Sequence, residues 1–133
     1  TQENSSSRVA ITSDGKVLRA FSDEEATSYS IPDGVTTIAQ RAFSELENLK
    51  SVDIPDSVQF ITQNAFEDSG LSSVVLPANI KVIDEYAFFF CQKLSSVGYK
   101  GEIYTSISKL EKALKENGVI IGYHSFASTA LAL

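Results

Sequence analysis

Few residues in this chain could do chemistry, and their spacing limits what they could do. His124 is the only histidine and Cys91 the only cysteine among 133 residues. A nucleophile–base pair would need His124 within hydrogen-bond reach of Cys91 or of a serine. A reactive thiol also needs an electropositive, partly exposed setting. The acidic residues come as adjacent pairs, Glu24 with Glu25, Glu67 with Asp68 and Asp84 with Glu85. Neighbours in sequence point apart on a strand and converge only partly on a turn, and no Asp-x-Asp-x-Asp calcium loop occurs. One cysteine excludes an internal disulfide framework and a multi-cysteine metal site. The glycines lack the spacing that cradles a phosphate. No catalytic, cofactor-binding or metal-ligating residue is therefore assigned. The remaining chemical feature is an aromatic run, Phe88-Phe89-Phe90.

The elements that position these residues follow from an internal repeat. Ile31-Pro32-Asp-Gly-Val35-Thr-Thr-Ile38-Ala-Gln-Arg-Ala42-Phe43 aligns with Ile54-Pro55-Asp-Ser-Val58-Gln-Phe-Ile61-Thr-Gln-Asn-Ala65-Phe66. Both align with Leu76-Pro77-Ala-Asn-Ile80-Lys-Val-Ile83-Asp-Glu-Tyr-Ala87-Phe88. Each block closes on one phrase: Leu49-Lys-Ser-Val52, Leu71-Ser-Ser-Val74, Leu94-Ser-Ser-Val97. Prolines and Ala-Phe pairs both recur at steps of 23 and 22 residues. Chance does not keep so many positions in phase.

Val52 and Ile54 point the same way at period 2, with Leu49 turning in just before them, as in a leucine-rich-repeat strand. The following proline cannot donate to a ladder and stops the strand. Val35, Ile38, Ala42 and Phe43 then form an inward face, expected to be helical or 3₁₀, on the return side. One such coil buries too little to offset its ordering entropy, so coils must stack and cover one another. In that stack Cys91 faces the core, and Glu45 could approach Glu67 and Asp68 along one edge.

At these residues the chain resembles the BspA-type leucine-rich-repeat family, with about 23 residues per coil. Cys91 stands at the family's cysteine position in the third coil, Leu46 stands there in the first, and the second coil is one residue shorter around Ser69. The resemblance covers residues 26–99 strongly and the ends loosely. It implies a secreted or surface-attached protein of a class associated with adhesion.

The expected fold is an α/β repeat solenoid: a short right-handed leucine-rich-repeat array with a parallel sheet on one face. Residues 1–7, rich in serine, read as a disordered tail. Residues 8–133 read as one domain. Within it, 8–25 form a β-hairpin cap around Asp14-Gly15, where a type I′ turn is expected. Residues 26–99 hold the repeats and 100–133 a C-terminal helix–strand cap. Ser108-Lys-Leu-Glu111 matches a capping box, and Asn117-Gly118 suits the helix stop. Val119–Tyr123 reads as a buried strand that would join strand 96–99 through a right-handed crossover.

Composition sets the class of partner. The chain is 43% hydrophobic and 21% charged, as a folded protein should be, with a net charge of −6. Its 11 basic residues are scattered, which argues against nucleic acid. No run approaches a membrane span. There is no Met, so Thr1 is not a translation start and a mature or trimmed form is expected.

Two surfaces are candidates for contact. The concave sheet should present Ser51, Asp53, Ser73, Val75, Ser96 and Gly98, with Lys50, Ser72 and Ser95 beside them. It is small, flat and lacks the Trp, Tyr and Arg that dominate binding energy. Phe89 and Phe90 replace Ser44 and Glu45 of the first coil and would be exposed aromatics on a turn, unless the cap covers at least one. Tyr86, Tyr99 and Tyr104 could flank the same end. The chain thus reads as a non-enzymatic, extracellular or cell-surface interaction module for a protein or glycan. The alternative is a structural spacer or display scaffold with no ligand of its own.

Overall fold

A computed structural model describes residues 8–133. The expected tail at 1–7 lies outside them. The chain is a β-solenoid of about four turns with one helix near its C-terminal end. Each coil supplies one short strand to each of two faces, and the core lies between.

The first face holds β3 (Ser28–Ser30), β5 (Ser51–Asp53), β7 (Ser73–Val75) and β9 (Ser96–Tyr99). β3 pairs in parallel with β5, and β7 with β9. Ser72 N–H bridges to the Lys50 carbonyl (3.1 Å) between the two pairs. Tyr29, Val52, Val74 and Val97 share one inward row, as the period-2 pattern requires.

The return face is also a sheet, not the helical segment the apolar spacing suggested. β1 (Val9–Ile11), β2 (Val17–Phe21), β4 (Thr37–Ile38), β6 (Phe60–Ile61), β8 (Val82–Ile83) and β11 (Ile120–Ile121) form one ladder. Only β1 and β2 run antiparallel. The backbone dihedrals and hydrogen bonds explain the difference. After each two-residue strand the chain turns a corner in which the first and fifth residues are left-handed: Arg41 and Glu45, Asn64 and Asp68, Tyr86 and Phe90, His124 and Ser128. A helix cannot pass through such residues. Alternate corner N–H groups instead donate to the next coil, as Phe43 does to Ala65 (2.7 Å), Phe66 to Ala87 (2.7 Å) and Phe88 to Ser125 (2.7 Å).

The phenylalanine of each corner points inward, and the rings stack along the solenoid axis. Phe43 and Phe66 lie 4.9 Å apart and Phe66 and Phe88 5.0 Å, with planes within 5° of parallel. The column runs past the recognised repeats at both ends. Phe21 of β2 stacks on Phe43 at 5.3 Å, and Phe126 stacks on Phe88 at 5.3 Å. Ser125-Phe126 is thus the Ala-Phe pair of a further coil, displaced in sequence by an inserted hairpin and helix. The Ser125 hydroxyl, buried where other coils carry Ala, donates to the Gly122 carbonyl (2.6 Å).

That insertion alters the expected C-terminal end. β10 (Glu102–Tyr104) folds back antiparallel on β9, and α1 (Ile107–Glu116) follows. The strand at 120–121 does not join β9; β10 occupies that edge, and β11 pairs with β8 on the other face. Nor is it a fully buried strand, since Ile120 is 66% exposed. The helix N-cap is Ser106, whose hydroxyl accepts from Lys109 N–H, while Ser108 points its hydroxyl at the Leu133 carbonyl. Asn117 caps the other end, with Gly118 left-handed after it. At the N-terminal hairpin only Gly15 has positive φ, so the turn is a Thr12–Gly15 turn closed by Gly15 N–H to Thr12 O (2.8 Å) and not a type I′ turn, which needs two such residues.

Gly70 explains the short second coil. There the chain cuts across where other coils carry two residues, and a Cβ would collide with the Glu47 carbonyl of the coil before. Gly70→Ala is expected to lower stability by about 1–3 kcal/mol through this overpacking, and Phe66→Ala by about 3–5 kcal/mol through the gap left in the column. Denaturant melts of the two variants against the parent check both values.

Candidate functional site: an aromatic corner

Stacking in register brings equivalent corner residues side by side, so each corner position becomes a row along the solenoid. In the first two coils the outward residues are polar. Arg41 pairs with Glu67 (3.3 Å), and Asn64 donates to the same carboxylate (2.6 Å). The expected approach of Glu45 to Glu67 does not form a metal site, because Glu67 turns to these donors. Among the described residues no three His, Cys, Asp or Glu side chains converge.

In the third coil the same rows are aromatic, and in the last coil His124 follows Tyr86 while Ala127 and Ser128 follow Phe89 and Phe90. Tyr86 replaces Asn64, and Phe89 and Phe90 replace Glu67 and Asp68. Tyr123 and His124 continue the rows from Glu85 and Tyr86. The rings touch one another: Tyr86 meets Phe89 at 5.1 Å, Tyr123 at 5.9 Å and His124 at 6.0 Å, each near edge-on. Phe89 meets Phe90 at 5.8 Å, and His124 lies 3.7 Å from Tyr123. Phe90 is 40% and Tyr123 61% exposed, while Phe89 and Tyr86 are half-buried. The C-terminal coil extends this cluster and leaves both phenylalanines accessible in part. Tyr99 is buried and Tyr104 half-buried on the β9–β10 hairpin, and neither makes a ring contact with the cluster.

Sequence reasoning identified Phe89 and Phe90 but not their partners Tyr123 and His124. The signal was present in the sequence, since aligning Ser125-Phe126 with Ala87-Phe88 places His124 beside Tyr86. The 38-residue step from Tyr86 to His124 hid it.

Cys91 and His124 do not form a pair. Cys91 is fully buried, and its thiol donates to the Phe66 carbonyl (3.0 Å) and lies 3.3 Å from the Ser69 hydroxyl. Leu46, Ser69 and Cys91 fill the same buried position in successive coils. Burial pushes the Cys91 thiol up, partly offset by the Ser69 hydrogen bond. His124 lies exposed in the aromatic corner.

The strand face carries its predicted residues with one change. Lys50, Ser51, Asp53, Ser73 and Val75 are exposed and Ser96 half-buried, but Gly98 is covered by Val75, whose methyl would lie 3.3 Å from a Cβ there. Ser28, Ser51, Ser73 and Ser96 form one row. Ser30, Asp53, Val75, Gly98 and Ile103 form the next, with Ser30 donating to Asp53 (2.9 Å). Val75 and Ile103, 66% and 71% exposed, are its apolar end.

The BspA type leucine-rich repeat region matches residues 18–130 in six copies, from the strand carrying Phe21 to past Phe126. The chain belongs to that family. The match extends well beyond the strong resemblance at 26–99, in keeping with the length of the phenylalanine column. A leucine-rich repeat protein from Eubacterium ventriosum has a similar solved structure, with a TM-score of 0.58 and 20% identity over 71% of this chain. The chain spans 26% of that protein's length. No curated protein matches the chain. Leucine-rich repeats of this kind are typically non-enzymatic interaction or scaffold modules, and domains built from them generally mediate protein contacts. Among the described residues no helix is long and apolar enough to cross a membrane.

The buried thiol makes a pH prediction. Its folded pKa lies above the unfolded value of 9.0, so its contribution to stability is complete below pH 9 and declines as pH rises from there. Thermal melts between pH 7 and pH 10 should show that decline, and Cys91→Ala should make it shallower. The native thiol should also react with a thiol reagent at least tenfold more slowly than in denaturant.

Proposed function

We propose that this repeat module binds a protein or glycan partner at an extracellular or cell-surface location, using the aromatic corner as its contact surface. The observation that carries this reading is the connected cluster of Tyr86, Phe89, Phe90, Tyr123 and His124 on a surface that is polar in the preceding coils. Tyrosine and phenylalanine offer large contact area at low entropic cost, and tyrosine is among the residues that dominate binding energy. Their rings can stack on an apolar protein side chain or a sugar face. Glu67, Asp68 and Glu85 border the cluster and supply acceptors for the partner's N–H or O–H groups.

Backbone strain supports the same reading. Tyr86 and Phe90 hold left-handed conformations (φ 58° and 64°), which bulky residues adopt at a cost of about 1–3 kcal/mol each. The second coil uses Asn64 and Asp68 there, residue types that tolerate this region. Aromatics at these corners are not what the fold alone favours. The strand face, with its serine row and Val75–Ile103 end, is a second contact surface of smaller reach, and Lys50, Ser51, Asp53, Ser73 and Ser96 belong to it.

Replacing the third corner by the second gives a clean test. The triple variant Tyr86→Asn, Phe89→Glu, Phe90→Asp should melt within a few degrees of the parent, because each new residue already serves the same position one coil earlier. It should lose at least tenfold in affinity for whichever matrix protein, glycan or host-cell protein the parent retains on an affinity surface. Retention of a partner at full affinity would move the contact to the strand face, and saturable binding by neither protein would leave the spacer reading.

A further inference from the structure

One coil is a residue short, and the shortfall opens a slot beside the aromatic corner. Between Leu46 and Leu49 the first coil carries Glu47-Asn48, and between Cys91 and Leu94 the third carries Gln92-Lys93. Between Ser69 and Leu71 the second carries Gly70 alone. Gly70 is drawn against the first coil. Its N–H donates to the Leu46 carbonyl (3.0 Å), and a Cβ on it would meet the Glu47 carbonyl. The second coil thus fills less of this edge than its neighbours do. A slot of about 260 Å³ results, lined by Glu47 of the first coil, Asp68 to Gly70 of the second, and Phe90, Gln92 and Lys93 of the third.

The slot gathers polar groups that do not satisfy one another. Among the described residues the ion pairs are Arg8–Asp23 and Arg41–Glu67, so neither Glu47 nor Asp68 pairs with Lys93. The Gln92 side chain makes no hydrogen bond among them either. Ser69 is 5% exposed, and its hydroxyl has one partner there, the Cys91 sulfur at 3.3 Å. The thiol proton already goes to the Phe66 carbonyl, so the lone pairs of the Ser69 oxygen are free. Phe90, in part exposed, adds an apolar ring to these groups and touches Phe89 of the corner.

We propose that the slot binds a neutral sugar unit of a glycan. The choice follows from what each group can take. Carboxylates only accept and an ammonium only donates, while an amide and a hydroxyl do both. A ligand that satisfies all of them carries donors and acceptors close together and no net charge. Glu47 and Asp68 disfavour an anion, and Lys93 disfavours a cation. Each sugar hydroxyl is donor and acceptor at once, and the C–H face of the ring lies flat on an aromatic side chain. The volume agrees, since it falls below the roughly 300–1,000 Å³ of sites for drug-sized molecules and suits one ring. The inference rests on the reading of the aromatic corner as a contact surface and narrows its partner to a glycan, with Phe90 shared between corner and slot.

NMR of the whole protein, titrated with the methyl glycosides of glucose, galactose, mannose and N-acetylglucosamine, tests this directly. At least one should shift the amides of Ser69, Gly70, Gln92 and Lys93 saturably, with millimolar affinity. N-acetylneuraminic acid and arginine amide, an anion and a cation, should bind at least tenfold more weakly. Inserting an asparagine between Gly70 and Leu71 gives the second coil the length of its neighbours and should weaken binding at least tenfold. The double variant Asp68→Asn, Gln92→Ala leaves the core untouched and should do the same while melting within a few degrees of the parent. Absence of saturable shifts with every glycoside, or binding that survives both variants, would overturn the proposal. Tighter binding of arginine amide than of any glycoside would also overturn it, in favour of a basic side chain on a protein partner. Shifts confined to Tyr123 and His124 would overturn the slot and keep the corner, so the two failures are read at different amides.

Discussion

Five phenylalanine rings stacked along one axis set the spacing of this molecule. Their separations, 4.9 to 5.3 Å, match the roughly 4.8 Å between neighbouring strands, so ring stacking and sheet pairing impose the same rise per coil. Each interior ring is sealed above and below by the next, and each stacked pair adds about 0.5–1.5 kcal/mol beyond the area it buries. The small residue before it, Ala42, Ala65, Ala87 or Ser125, lets the corner close against its neighbour. Neither arrangement tolerates a slip. Displacing one coil by a residue would turn its phenylalanine into water and break the three corner bonds at once.

This constraint explains the division of labour in the sequence. Inward positions repeat because every coil meets the same neighbours, whereas outward corner positions touch only solvent and adjacent outward residues. The array can therefore carry a polar surface at Arg41, Asn64 and Glu67 and an aromatic one at Tyr86, Phe89 and Tyr123 without altering its backbone. Function can change along the axis while the fold does not. The inserted hairpin and α1 follow the same logic: they leave the array after Tyr99 and return it at Ile120 in register with β8.

Much of this was legible from residue spacing. The Ile-Pro, Ala-Phe and Leu-x-x-Val phrases located the strands of the first face, and the inward fate of Cys91 followed from its place in the repeat. Two features escaped for physical reasons. Val35, Ile38, Ala42 and Phe43 fit a helical face, but the left-handed residues that bend the corners are Arg, Glu, Asn, Asp, Tyr, Phe, His and Ser, not glycine, and carry no obvious mark in sequence. The fourth Ala-Phe equivalent escaped because serine stands for alanine and a hairpin plus helix separates it from the third. The candidate site inherited that second miss: Phe89 and Phe90 stood out as a run, while Tyr123 and His124 gain meaning only once the coils are stacked.

If the column locks the coils together, the interior of the array must open as one unit. Native-state hydrogen exchange measures this at the amides of Phe43, Phe66 and Phe88, each bonded to the following coil. The predicted result is a single shared opening free energy, equal to the global unfolding free energy, at all three positions. Distinct values, with one coil opening while its neighbours remain protected, would contradict the claim that stacked phenylalanines hold the coils in a common register.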